Sequence, residues 1–224
     1  MARSDLDVCN LAIGKIGGEP LEAIDEDSPL GVFCGLNYGP KRDYLLGLYD
    51  WRFANTIALL GRIAPTPPGT PLRNLFKPPS DIVGAVRAFR DGPDAHSRMV
   101  RCLISAVGVS SDANQVYAEY TALAPEAAWP SWFVELAATA FAADLARRRP
   151  DADLANALQV EAFGTPEQNG EGGKYLTARQ ADSRNAPQRQ LFAYDAGELV
   201  EARMGYGALP YAGRLVFVDT GAGS

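Results

Sequence analysis

The sequence predicts an α+β fold that is mainly α: a helical bundle made from N- and C-terminal segments, a small antiparallel β insertion between them, and an extended C-terminal arm. Apolar residues recur with helical spacing before Trp51 and again after Trp129. Between them the helical period gives way to short runs separated by turn residues. Past Pro187, glycines and scattered aromatics replace any period. The expected divisions are 1–52 and 129–186 for the two parts of the bundle, 53–128 for the insertion and 187–224 for the arm.

Ser4 can cap a first helix, with Asp7 completing a capping box. Cys9, Ala12, Ile13 and Ile16 then share one helical face, and Gly17-Gly18 stops the helix. Asp27 or Ser28 caps a second helix, with Pro29 in the first turn, where its missing N–H costs nothing. Phe33 and Leu36 are expected on one side of it. Pro40 is expected to kink or break it, because proline removes a donor and clashes with the preceding turn. A continuation over Lys41 to Tyr49 brings Arg42, Leu45, Leu46 and Tyr49 together.

Phe53 to Ile63 is apolar without a helical period, and the proline-rich run from Pro65 to Pro71 reads as an exposed loop. Three strands are expected: Ile82 to Phe89, Met99 to Ala106 and Gln115 to Tyr120. They are divided by turns at Asp91 to Asp94 and Ser110 to Asn114. In the last strand Val116, Ala118 and Tyr120 share one face, and Gln115, Tyr117 and Glu119 the other. The insertion is expected to be a partly open sheet or barrel.

Trp129-Pro130-Ser131 opens a strong helix to Arg149, with Phe133, Leu136, Ala137, Ala140, Phe141 and Asp144 on one face and Pro150 as its stop. Asp151 or Asp153 starts another, with Leu154, Ala155, Leu158 and Ala162 aligned. Gly164 to Gly173 interrupts it, and a polar helix resumes from Lys174 to about Asn185. The arm from Gln188 holds too many glycines to fold alone, yet Tyr206, Tyr211 and Phe217 offer contact area. It reads as a segment that orders on a partner, with Leu215 to Val218 suited to strand addition.

Hydrophobic residues make up 47% and charged residues 21%, the profile of a soluble globular chain. No apolar run approaches the roughly 20 residues that span a bilayer, and the N-terminus has no signal-peptide core, so no membrane partner and a cytoplasmic origin are expected. The net charge of −6 argues against general nucleic-acid binding, which leans on phosphate neutralisation. An acidic chain can still stand beside DNA that must pass without sticking. The three cysteines, Cys9, Cys34 and Cys102, are odd in number and far apart, and read as free thiols rather than a disulfide or metal set.

No catalytic, cofactor-binding or metal-ligating set is assigned, and no cofactor is expected. His96 is the single histidine, in a turn-like run; a Ser-His-Asp triad through it is weighed against a surface loop residue, and the latter is preferred. Asp25-Glu26-Asp27 could hold a hard cation, but such a run more often favours the helix that follows. Arg147, Arg148 and Arg149 could touch DNA or an acidic protein; helix-end cations offsetting the macrodipole are the plainer reading. Trp51, Phe53, Trp129 and Trp132 read as core or interface anchors. Trp51 and Phe53 fall where the helical pattern ends, so they are expected to wedge the bundle against the insertion.

Several segments resemble the head-to-tail adaptor, or tail tubular protein A, family of tailed bacteriophages. The first is Cys9-Asn10-Leu11-Ala12-Ile13-Gly14-Lys15-Ile16-Gly17-Gly18-Glu19-Pro20 with the acidic turn Ile24 to Asp27. The second is Tyr38-Gly39-Pro40-Lys41-Arg42-Asp43-Tyr44-Leu45-Leu46 running into Tyr49-Asp50-Trp51-Arg52-Phe53-Ala54. Pro79-Ser80-Asp81 before a strand, and Tyr120-Thr121 followed by Trp129-Pro130 and an alanine-rich helix, complete the set. The resemblance covers about Asp5 to Ala162. Gly39 stands where the family usually has an acidic residue, the Gly164 to Gly173 interruption departs from it, and the arm matches no family pattern.

The resemblance implies a non-enzymatic virion protein at the portal–tail junction, made in the bacterial host cytoplasm. It implies a ring, usually of twelve copies, between the portal protein and a tail or nozzle protein, with genomic DNA passing through during ejection. Another head-completion or tail-terminator ring protein is the runner-up, separable by ring formation on a portal. A small cell-wall hydrolase is the reading from a different class; loss of an activity on substituting one acid or His96 would support it.

Overall fold

The computed structural model describes residues 3–63, 72–94, 96–149 and 151–184. The proline-rich loop, Pro150 and the arm with Tyr206, Tyr211 and Phe217 lie outside the described residues.

Helix α1 spans Asp5–Lys15, and its Ser4–Asp7 capping box is formed in both directions. Cys9, Ala12, Ile13 and Ile16 are all buried, and Val8 joins them. Helix α2 spans Pro29–Gly47, with the Ser28 hydroxyl accepting from the Gly31 N–H. Of the expected kink or break at Pro40, the break does not occur: the helix runs through Pro40. Proline removes one N–H and leaves the Leu36 carbonyl without its helical donor, but Leu36 and Pro40 both face solvent, so water can serve that oxygen. Leu36 is thus not a core residue; it is 71% exposed, while Phe33 packs against the core.

A single 3₁₀ turn, Arg52–Ala54, leads into the seven strands found among the described residues. These are β1 Asn55–Leu59, β2 Gly61–Ile63, β3 Asn74–Lys77, β4 Ile82–Arg90, β5 Cys102–Ser105, β6 Gly108–Ser111 and β7 Tyr117–Ala122. They form two antiparallel sheets, one in the order β1-β7-β4 and one in the order β2-β3-β6-β5. The alternation read for the last strand holds: Val116, Ala118 and Tyr120 are buried and Gln115 is exposed. With Leu60, Phe76 and Val109 they form the insertion's own core. Ser110 and Ser111 are strand rather than turn: both are buried, and the Ser111 hydroxyl donates to the Arg101 carbonyl at 2.9 Å.

The chain then returns to the bundle. Helix α3, Ser131–Arg148, buries Phe133, Leu136, Ala137, Ala140 and Phe141 as expected, but also the alanines and Leu145 around its other sides; twelve of its 18 residues are buried. It is the axis of the bundle rather than a one-faced helix, and small side chains let its neighbours approach on several sides. Helix α4, Ala152–Phe163, is capped by Asp151. Gly164 and Gly173, at φ +84° and +56°, carry the chain through a tight turn into helix α5, Gly173–Arg184. No helix among the described residues is long and apolar enough to cross a membrane. The fold is therefore α+β and mainly α, with a bundle closed by both ends of the described chain around an antiparallel insertion.

Candidate functional site

Of the aromatic residues singled out in the sequence, Trp51, Phe53, Trp129 and Trp132 gather in one cluster centred on Trp51, which is fully buried. Its indole N–H donates to the Leu45 carbonyl at 2.9 Å, serving an acceptor near the C-terminal end of α2. Its ring lies 4.9 Å from Tyr49, 5.1 Å from Phe133, 5.6 Å from Trp132 and 6.1 Å from Tyr175 between centroids. Phe53 stacks into the same group, 4.9 Å from Phe133. Trp129 is buried beside Phe133 and donates to the Ala124 carbonyl. The ring partners of Trp51 and Phe53 belong to the helical side, and β4 joins the same core through Val83.

Helix and sheet meet instead through glycine. A Cβ on Gly47, at the end of α2, would stand 2.8 Å from the Val83 carbonyl oxygen of β4. The seam is tied by Arg87, whose Nε lies 3.0 Å from an Asp50 carboxylate oxygen. Asp182 of α5, only 2% exposed, accepts from the Arg52 backbone N–H. Burial raises its pKa, against the pull of that hydrogen bond and of the Arg52 and Arg87 charges. Sequence reading missed Asp182, because a lone acid in a polar helix carries no signal of burial. In β7, burial also works against the Glu119 carboxylate, but hydrogen bonds from Arg90 and Asn55 and the nearby guanidinium charges outweigh it and hold its pKa below the ordinary value.

The three consecutive arginines are exposed, and each donates to a different part of the bundle. Arg147 pairs with Asp144 at 2.9 Å and donates to Gln159 of α4. Arg148 donates to the Pro29 carbonyl at the start of α2 and lies over the Phe33 ring, 5.5 Å from its centroid. Arg149 donates to the Ile16 carbonyl at the end of α1, at 3.0 Å. One helix terminus thus clasps three others. Arg148 and Arg149 also line an open pocket of about 410 Å³, together with Glu19, Glu26 and Leu30. On the far side of α3, Glu135 accepts from Lys15 and Lys174, and Lys174 also meets Glu161, joining α1, α3, α4 and α5.

Cys9 and Cys34 are free and buried next to each other, the hydrogen bond between them raising the Cys9 thiol and lowering that of Cys34; Cys102 is free and half-buried. His96 is exposed, and its ring makes no hydrogen bond or ion pair among the described residues. Among the described residues no group of three or more His, Cys, Asp or Glu side chains could hold a metal ion. Asp25 and Asp27 face solvent beside Ser28, which is the residue that caps α2.

No protein-family model matches the chain. No curated protein matches it either.

Proposed function

We propose that the chain is a structural virion protein, the subunit of a head-to-tail connector ring that joins a phage portal to the tail and lets the genome pass. The observation that carries this reading is architectural. Both ends of the described chain build one bundle around α3, with a small antiparallel insertion between them, the arrangement that the sequence resemblance implies. The arginines at the end of α3 add support, since each donates to another part of the bundle, a use that needs no DNA. The partners in this reading are further copies of the chain, twelve in a closed ring, the portal protein, and a tail or nozzle protein.

The decisive experiment mixes the purified full-length chain with the portal of its own phage and images the mixture by negative stain. A new ring of density on one face of the portal is expected. A portal unchanged in the presence of excess chain would rule the reading out.

A further inference from the structure

We propose that the chain carries both halves of a head-to-tail contact with a second copy of itself: the β5–β6 hairpin of one copy seats on the outer face of α2 in the next. The proposal rests on the connector reading only for where the resulting ring sits; the contact is argued from the surfaces.

The first half is the hairpin. Leu103, Ile104 and Val107 are 50%, 63% and 61% exposed. Neighbouring residues on a strand point to opposite faces, so past Cys102, which packs against the insertion's core, the exposure of both Leu103 and Ile104 leaves this end of β5 uncovered on either face among the described residues. Among the described residues β5 is also an edge strand, and it carries neither the lysine nor the proline that usually discourages edge pairing.

The second half is a row on α2. Val32, Leu36, Pro40 and Tyr44 recur every fourth residue and are all exposed, Leu36 at 71% and Tyr44 at 55%. Residues at this spacing line one side of a helix. An apolar row facing water along three turns is a surface without its cover.

Charge says what the cover is. Residues 60–114, which hold the hairpin, contain seven basic and four acidic residues, a net of +3 in a chain of net −6. Arg98 and Arg101 flank the hairpin, both exposed and without an ion pair among the described residues. Residues 19–27, which lead into α2, hold five acids and no base. Of these, Glu22, Asp25 and Asp27 are exposed and make no ion pair among the described residues. This acidic turn lies against the first turns of α2: a Cβ on Gly31 would stand 2.4 Å from the Glu26 carbonyl oxygen. An apolar projection with unpaired cations and an apolar row with unpaired anions therefore occur on one chain. A second copy offers each the complement it lacks. Because the two surfaces differ, each bound copy still presents one of each, and the association propagates until it closes.

Two blocked variants test this. One carries Arg101→Glu and Ile104→Asp, the other Asp25→Arg and Leu36→Asp. All four positions are exposed, so both should keep the wild-type circular dichroism and melting midpoint. Sedimentation velocity and native mass are expected to show wild-type chain self-associating as concentration rises. Each blocked variant alone should associate at least about tenfold more weakly. Their equimolar mixture should form dimers and nothing larger, since only one intact pair of surfaces remains. A wild type that stays monomeric at every attainable concentration, blocked variants that associate like wild type, or a mixture that stays monomeric would each overturn the contact. A chain that associates in this way but adds nothing to a portal would retire the connector reading alone. Portal-bound rings built equally well by both blocked variants would retire the contact alone.

Discussion

Gly47 and Gly84 bring helix and sheet together backbone to backbone: the position of a Cβ on Gly84 lies 3.9 Å from the Gly47 Cα and 3.4 Å from the Thr121 Cβ. With the 2.8 Å approach to the Val83 carbonyl, Gly47 has no room for a side chain, and the atom in the way is backbone, which cannot swing aside. Alanine there gains about 0.5–1 kcal/mol of helix propensity. Overpacking against fixed backbone costs about 1–3 kcal/mol and is expected to win. Gly14 in α1 is the control, since a Cβ there meets nothing within 4 Å. Urea unfolding should show Gly47→Ala less stable than wild type and Gly14→Ala more stable. A Gly47→Ala protein at least as stable as wild type would mean that the seam is looser than described.

Trp51→Ala is expected to lose about 3–5 kcal/mol, because it empties the centre of a buried aromatic cluster and strips the Leu45 carbonyl of its donor. Trp51→Phe should lose less, keeping most of the ring but not the N–H. The comparison is made by denaturant midpoint. An alanine variant that melts with wild type would assign Trp51 to a partner instead of the core.

The Asp182 carboxyl has a raised pKa in the folded chain, so the folded state keeps a proton that the unfolded chain gives up. Its favourable contribution is complete below the unfolded value of about 3.9 and is lost as pH rises through the folded value. Asp182→Asn removes the charge and retains an acceptor for the Arg52 N–H. The variant should be more stable than wild type at neutral pH, with the difference shrinking toward zero below about pH 4. Thermal melts across pH check this, and a variant that is less stable at neutral pH would show that the Arg52 and Arg87 charges dominate over burial.

Arg149 serves the end of α1, so Arg149→Met should lower stability by about 1.5–3 kcal/mol, the range for a hydrogen bond from a charged group. It should leave retention on a duplex DNA column unchanged, because wild-type chain is expected to pass through at physiological salt. Salt-sensitive retention of wild type that the substitution abolishes would reassign the arginine to nucleic acid.

Much of this architecture is legible in the sequence where one signal acts alone. The capping box at Ser4, the cap at Asp151, the glycine interruption after Phe163 and the alternation from Gln115 to Tyr120 are local, and they form as read. The failures share a cause, which is that partners distant in sequence decide the outcome. Pro40 looks like a break until its freed carbonyl is found to face solvent. β3 and β6 are short and are made strands by pairing with each other, not by their own composition. The three arginines read as cations at the end of one helix, and the sequence does not show that each also reaches a different helix. Phe33 and Leu36 are expected on one side of α2, yet Phe33 packs against the core while Leu36 is exposed, and that exposure draws attention to the outer face of α2.

The central position of α3 also sets a timetable for synthesis. α1 and α2 are complete by Gly47, but the helix that buries them begins only at Ser131. At about 5–20 residues per second, the ribosome leaves the two finished helices without their axis for roughly 4–17 s. During that interval Val8, Cys9, Ile13, Leu45 and Leu46 have no interior to enter. The nascent chain therefore exposes these side chains until the alanine-rich helix emerges, and a transcript truncated before Ser131 should yield insoluble product.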